Sequence, residues 1–229
     1  MTYPIIILAA GSGKRTGKNM NKVLIEIDSE PIIIKTIKFF DKEDSISSIY
    51  LVIKESEKLL FENLIRKYDF NKNITLINGG EERQDSVRNA LIKIKDKNYK
   101  KVVIHDGARP FVPKGCLKKM DKEMIGCEGS VLGIRVKDTI KEAENNIITK
   151  TLKRNKLFSI QTPQMFLYDI LLKCHLRACE DDIIGTDDAS LLEAYNYKIR
   201  LIEGSVDNIK ITYSEDFEYV KWKVKQKWE

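Results

Sequence analysis

An apolar run, Ile5-Ile6-Ile7-Leu8, breaks into Ala9-Ala10-Gly11-Ser12-Gly13-Lys14-Arg15, with Lys18 and Lys22 close behind. Small residues let a backbone approach a ligand and turn with positive φ, so that successive N–H groups can converge on anionic oxygens. Four cations within nine residues, Lys14, Arg15, Lys18 and Lys22, supply countercharge. The chemistry this suits is phosphate binding at the end of a strand.

Two familiar phosphate loops are excluded by spacing. A Walker A loop needs a glycine five residues before its Gly-Lys pair and Ser or Thr after it; Leu8 and Arg15 stand there. A dinucleotide fingerprint needs a third glycine at position 16, where the chain has Thr16 and places Gly17 one residue late. Other catalytic chemistries find little support. The cysteines Cys116, Cys127, Cys174 and Cys179 contain no C-x-x-C pair, and Cys174-His175 with Cys179 fits no common zinc spacing. With only His105 and His175, and no G-x-S-x-G elbow, a hydrolase triad is not expected. The cysteines are read as reduced, mostly buried thiols.

The charge is spread, 40 basic against 34 acidic residues over 229, for a net +6. No basic, aromatic-interleaved block stands out, so a small anionic substrate is expected rather than nucleic acid. The terminal stretch alternates Lys221, Lys223, Lys225 and Lys227 with Trp222, Val224 and Trp228, which reads as a solvated helix docking through its aromatics. No run reaches the ~18 apolar residues of a membrane span, and the N-terminus enters a strand without a signal-peptide pattern. A cytoplasmic protein, with no membrane partner, is expected.

These residues need a frame. Strand-like runs at Ile5 to Ala10, Ser48 to Ile53, Ile74 to Ile77, Lys101 to His105, Ser130 to Val136 and Lys198 to Glu203 alternate with helical patterns. The clearest helix repeats Val87, Ala90, Leu91 and Ile94 at i, i+3, i+4, i+7. A second is expected from Thr186 as cap, with Asp187 and Asp188 complementing the dipole, and a third near Thr212, where Thr212 and Glu215 have capping-box spacing. This alternation argues for an α/β, doubly wound, mainly parallel sheet with helices on both faces. Residues 138–151 read instead as a polar hairpin turning at Glu144-Asn145-Asn146. An isolated hairpin is marginal, so a protruding arm over about 138–153 that packs on a second subunit is expected. With no repeat or linker, 1–229 reads as one domain carrying that arm.

In such a sheet ligands bind beyond the carboxyl ends of the strands, where strand order reverses. Lys14, Arg15 and Lys22 follow the first strand, Gly79-Gly80 and Arg83 the third, Asp106 and Arg109 the fourth, and Thr139 the fifth. One cleft should collect them.

Separated motifs then line up in order with one family: Leu8-Ala9-Ala10-Gly11-Ser12-Gly13-Lys14-Arg15, Gly79-Gly80-Glu81-Glu82-Arg83-Gln84-Asp85-Ser86-Val87, His105-Asp106-Gly107-Ala108-Arg109-Pro110, Asp138-Thr139-Ile140-Lys141, Arg154-Asn155, Gln161-Thr162-Pro163-Gln164, Thr186-Asp187-Asp188-Ala189-Ser190 and Asn208-Ile209-Lys210-Ile211-Thr212. From about residue 4 to 217 the chain resembles the 2-C-methyl-D-erythritol 4-phosphate cytidylyltransferases of non-mevalonate isoprenoid biosynthesis. The resemblance implies a Rossmann-like nucleotidyltransferase fold, a homodimer, Mg²⁺ or another divalent metal, and transfer of a cytidylyl group from CTP with release of pyrophosphate. It implies that Arg15, Lys22 and Lys210 act at the phosphates. Gly11 and Gly13 belong to the phosphate loop, and Arg83 to the nucleotide site. The backbone around Ala9, Ala10 and Gly80, with Ser86, would read the cytosine. Asp106 would sit at the ribose or near the metal, with Arg109 beside it, and either Asp106 or Asp207 could touch the metal. The methylerythritol phosphate would be held by Thr139, Arg154, Thr162 and Thr186, Arg154 reaching across the dimer.

The chain departs from the family where Asn21-Lys22-Val23-Leu24 replaces the usual Pro-Lys-Gln-Tyr, where Thr16 replaces Met, and where Gly107 replaces Ala. Ribitol-5-phosphate cytidylyltransferase shares the glycine-rich loop and the Gln-Thr-Pro-Gln motif, but Arg154-Asn155 and Asp138-Thr139-Ile140-Lys141 resemble the methylerythritol enzyme more closely. A non-catalytic nucleotide-binding regulator would be expected to lack one of Arg15, Lys22 and Lys210, and all three are present.

Overall fold

The computed structural model describes residues 2–11 and 21–225. Its strands are β1 (Tyr3–Leu8), β2 (Glu26–Ile27), β3 (Glu30–Pro31), β4 (Ile46–Ile53), β5 (Ile74–Asn78), β6 (Lys101–Asp106), β7 (Gly129–Arg135), β8 (Lys141–Glu144), β9 (Ile147–Thr151), β10 (Phe158–Leu167) and β11 (Ile199–Glu203). The helices are α1 (Ile32–Asp41), α2 (Lys58–Ile65), α3 (Arg83–Lys93), α4 (Cys116–Glu123), α5 (Tyr168–Glu180), α6 (Asp188–Ala194) and α7 (Ser214–Lys225).

The central sheet runs β11-β7-β10-β6-β1-β4-β5. Successive side chains of a strand point to opposite faces, so the unbroken apolar run of β1 serves two cores. Ile5 and Ile7 pack with Ile33, Ile37, Phe40 and Leu117 on one face, while Ile6 packs with Val87, Leu91 and Leu171 on the other. β1 pairs in parallel with β4 on one side and β6 on the other, and Leu8 at its end stands opposite Val52 and Asp106. The strand order reverses there, which is where an α/β sheet opens a crevice.

One central strand was not expected from sequence. β10 runs antiparallel between β6 and β7, and its ladder shifts between Gln161 and Gln164, around a cis Thr162-Pro163 peptide. A proline within a polar stretch argues against a central strand; here it sits at the irregularity, where no ladder bond is demanded of its nitrogen. The β8–β9 hairpin lies as expected over the polar segment, turning on Asn145 and Asn146 at φ 48 and 65°. Positive φ at both central residues matches the right-handed twist of paired strands, and asparagine tolerates it.

Four local expectations are corrected. Helix α6 starts at Asp188, and its cap is Asp187, whose side chain accepts from the Ser190 N–H, not Thr186. The α7 entry is closed by Asp216, whose Oδ2 accepts from the N–H groups of Thr212 and Tyr213, so Glu215 is not the reciprocal partner. Helix α7 docks through Phe217, Val220 and Lys223, while Trp222 is exposed; Lys227 and Trp228 lie outside the described residues. Of the cysteines, all free, Cys116 and Cys174 are buried, Cys127 is half-buried and Cys179 exposed, so fewer are buried than expected. Among the described residues no helix is long and apolar enough to cross a membrane.

Candidate active site

A cleft of about 740 Å³ opens beyond the carboxyl ends of β1, β4 and β6. Its walls include Leu8, Ala10, Gly11, Lys22, Gly80, Arg83, Ser86, Asp106 and Lys210. Residues from five separate motifs thus meet around one space. Gly13 and Arg15 lie outside the described residues.

The glycine wall is close-packed. The Gly80 N–H donates to Oγ of Ser86 at 3.1 Å, and a Cβ on Gly79 would stand 2.8 Å from that Oγ and 2.9 Å from Cβ of Ala10. Only glycine lets the turn after β5 lie against both β1 and the start of α3. Ala9 is buried beneath this wall: its N–H donates to the Val52 carbonyl.

Lys22 is carried by a short 3₁₀ turn, Lys22–Leu24, that Asn21 anchors. Asn21 is buried; its Nδ2 donates to the Ala9 carbonyl at 2.5 Å and to Oε2 of Glu57 at 2.8 Å, while its Oδ1 accepts from the Val23 N–H. The amide therefore ties the chain entering Lys22 back to the end of β1. Buried amides need such partners.

Asp106 forms the floor. Nζ of Lys210 lies 2.9 Å from its Oδ2, Nε of Arg109 3.5 Å from the same oxygen, and Nε of Arg83 3.7 Å from Oδ1. Burial would raise the Asp106 pKa, but Lys210, Arg83 and Arg109 outweigh it and hold the carboxyl well below the usual range. Burial lowers the Arg109 pKa, opposed by Asp106. Arg83 is also subject to burial, which Asp188 and Asp106 overcome, raising its pKa. The floor is ionised and carries an excess of positive charge toward the cleft.

Lys210 is placed by a web around β10. Gln161 donates from Nε2 to the Ser205 carbonyl at 2.8 Å, Asn208 donates from Nδ2 to the Thr162 carbonyl at 2.9 Å, and Arg109 donates from Nη1 to the Asn208 carbonyl at 2.7 Å. The Ile211 N–H donates to the Ala108 carbonyl. Arg109 thus sits under the floor, buried, rather than on the cleft wall.

Thr162 is likewise interior. Its hydroxyl accepts from the Asp106 N–H at 3.0 Å and lies 3.1 Å from Nδ1 of His105, whose Nε2 is 3.0 Å from the Arg109 carbonyl. A single pattern satisfies all three: a neutral imidazole protonated on Nε2 donates to Arg109, and Thr162 donates to Nδ1. Burial pushes the His105 pKa down to about 4, with smaller contributions from its neighbours.

Thr139, Arg154 and Thr186 are exposed and lie outside the cleft lining. Arg154 donates from Nη1 to the Lys137 carbonyl at 2.9 Å. Asp207 turns to Lys223 and Tyr219. Among the described residues no three His, Cys, Asp or Glu side chains gather as a metal cage. Lys54 lines the cleft although its type and setting had not singled it out; the available signal was its place directly after β4.

The family model described as IspD, 2-C-methyl-D-erythritol 4-phosphate cytidylyltransferase, matches residues 4–226. The Bacillus cereus 2-C-methyl-D-erythritol 4-phosphate cytidylyltransferase is 42% identical over 214 residues, 93% of this chain and 94% of its own. The Shouchella clausii protein of the same name is 38% identical over 227 residues, 99% of this chain and 98% of its own. Among solved structures, the 4-diphosphocytidyl-2C-methyl-D-erythritol synthase of Anaerococcus prevotii superposes with a TM-score of 0.86 at 26% identity, covering 98% of this chain and 96% of that one. The Francisella tularensis 2-C-methyl-D-erythritol 4-phosphate cytidylyltransferase does so with a TM-score of 0.82 at 29% identity, covering 97% and 99%. The chain belongs to the 2-C-methyl-D-erythritol 4-phosphate cytidylyltransferase family.

Proposed function

We propose that this protein transfers the cytidylyl group of CTP to 2-C-methyl-D-erythritol 4-phosphate, forming 4-diphosphocytidyl-2-C-methyl-D-erythritol and pyrophosphate. The observation that carries the reading is the meeting of Lys22, Arg83 and Lys210 with the small residues Ala10, Gly80 and Ser86 around one cleft. The wall takes the cytosine, leaving no room for a purine, and the cations take the triphosphate, joined by Arg15.

An oxygen of the acceptor phosphate attacks the α-phosphorus of CTP. The new P–O bond forms in line as the bond from the α-phosphorus to the β-phosphate bridging oxygen breaks. The nucleophile is already ionised, so no base is required, and His105 is spent on internal hydrogen bonds. Catalysis then consists of positioning, which can supply about 7–11 kcal/mol, and of fixed positive charge where negative charge gathers. Thr162 and Arg109 serve by holding Asp106 and the Lys210 segment.

Magnesium is proposed as the metal. Asp106, the carboxylate at the cleft floor, would hold such an ion together with oxygens of the triphosphate. When bound it neutralises charge on the phosphate oxygens. Asp207, turned to Lys223, is the poorer ligand.

The methylerythritol phosphate is proposed to lie toward Thr186 and toward Thr139 and Arg154 of an arm, the arm coming from a second copy of the chain. Ile147 and Ile148 on that arm are 70% and 62% exposed, which supports a partner that covers them. The reaction is placed in the cytoplasm, in keeping with free cysteines. The test is pyrophosphate release with CTP and each acceptor. Methylerythritol phosphate should be used far better than ribitol 5-phosphate, and Lys22→Ala should fold yet lose most turnover; near-normal turnover of that variant would sink the reading.

A further inference from the structure

Helix α5 buries Tyr168, Leu171, Cys174, His175 and Ala178 along one stripe, and the one histidine there is fully buried. Its Nε2 lies 3.1 Å from Oδ1 of Asp188, and its Nδ1 has no hydrogen-bond partner among the described residues. The proton therefore sits on Nε2 and is donated to Asp188. Asp188, 1% exposed, gives its other oxygen to Arg83, whose Nη2 is 2.7 Å from Oδ2. Nε of Arg83 faces Asp106 at 3.7 Å. The guanidinium is thus strung between an interior carboxylate and the cleft floor while it lines the cleft.

From this geometry we infer that His175 is a positioning residue for the nucleotide, acting through Asp188 to hold Arg83 in one orientation. The inference rests on the nucleotide reading of the cleft. A leucine at 175 would fill the stripe as well, but would leave Oδ1 of Asp188 unpaired in the interior and let the carboxylate turn away from Arg83. The backbone on both sides is already fixed: Gln84 donates from Nε2 to the Ile183 carbonyl and accepts at Oε1 from the Gly185 N–H, and Gln164 donates to Asp187. What remains free for His175 to set is the carboxylate itself. A long arginine side chain with many rotamers gains most from such support.

The test follows the Arg83 Nε–H in ¹⁵N spectra alongside CTP affinity. In His175→Leu the protected Arg83 resonance should be lost, CTP binding should weaken about tenfold, and KM for the sugar phosphate should stay within about twofold. His175→Gln, which keeps a donor near the same place, should restore both. In an Arg83→Ala background His175→Leu should add nothing further to the CTP dissociation constant, because its effect runs through Arg83. The proposal is overturned if the Arg83 resonance survives in His175→Leu, if both substrates weaken alike, or if the two losses add in full. Should His175→Leu fail to fold, Asp188→Asn carries the same expectation for Arg83. If the unaltered protein does not bind CTP, the nucleotide reading falls, and the Arg83 resonance still decides whether His175 fixes it.

Discussion

The ammonium of Lys210 rests 2.9 Å from Oδ2 of Asp106, at a floor that Arg83 and Arg109 also face. Asp106, even with Asp188 paired to Arg83 behind it, leaves these three cations one negative charge short, so the floor keeps positive charge for an anion to complete. Lys210→Ala should lower kcat/KM by about 10²–10³, the usual cost of one preorganised donor, and Lys210→Arg should recover part of it. Pyrophosphate release over a range of CTP concentrations measures both.

Asn21 is expected to do for Lys22 what a rigid residue would do at that place. Asn21→Ala breaks the bonds to the Ala9 carbonyl and Glu57 and leaves a buried carbonyl unpaired. The expected cost is about 1–3 kcal/mol of stability together with a fall in kcat that exceeds any rise in KM for CTP. Asn21→Asp should be worse, since it sets a carboxylate against both a carbonyl and Glu57. Denaturant unfolding and steady-state kinetics on the pair decide it.

Acid should weaken the fold before the carboxylates titrate. The His105 pKa is pushed from 6.5 down to about 4 by burial. Between those values the unfolded chain binds a proton that the folded chain refuses, so stability falls as the pH drops through this window. His105→Gln should flatten that part of the profile of thermal midpoint against pH, even where it lowers the midpoint overall. An unchanged slope would show that other groups cause it.

Asp188 adds a second loss at lower pH, from charge pairing rather than from burial. Burial would raise its pKa, but Arg83 and His175 hold it down at about 2. Its stabilisation is present above its unfolded pKa of 3.8 and is lost as the pH falls toward about 2. Asp188→Asn should remove this acid limb and destabilise the protein at neutral pH, as thermal melts from pH 2 to 7 would record.

The arm supplies a prediction about assembly. Ile148 is exposed on β9 in an isolated hairpin. Ile148→Asp should turn a dimer into a monomer in sedimentation equilibrium while leaving CTP binding within about twofold and weakening acceptor use, because an exposed charge seldom disturbs the fold itself.

Much of the fold was legible because its causes are local. The unbroken apolar runs of β1, β4 and β6, the 3.6-residue spacing of α3 and the Asn145-Asn146 turn each declare their geometry within a few residues. Strand-end position likewise marked Lys22, Gly80 and Asp106, since strand ends in such a sheet point one way, and the family resemblance added Ser86 and Lys210. Only the tertiary structure decided where β10 goes, because pairing of a proline-bearing strand depends on which neighbours leave a ladder position unused. The same holds for Thr162 and Arg109, which the family resemblance set at the sugar phosphate and beside Asp106 and which packing engages in interior hydrogen bonds to Asp106 and Asn208. His175, Asp188 and Arg83 are far apart in sequence, and a hydrogen bond in the interior depends on distance in space. The sequence by itself therefore determined which charges the protein would bring to a phosphate; folding decided which of them face the cleft and which hold the others still.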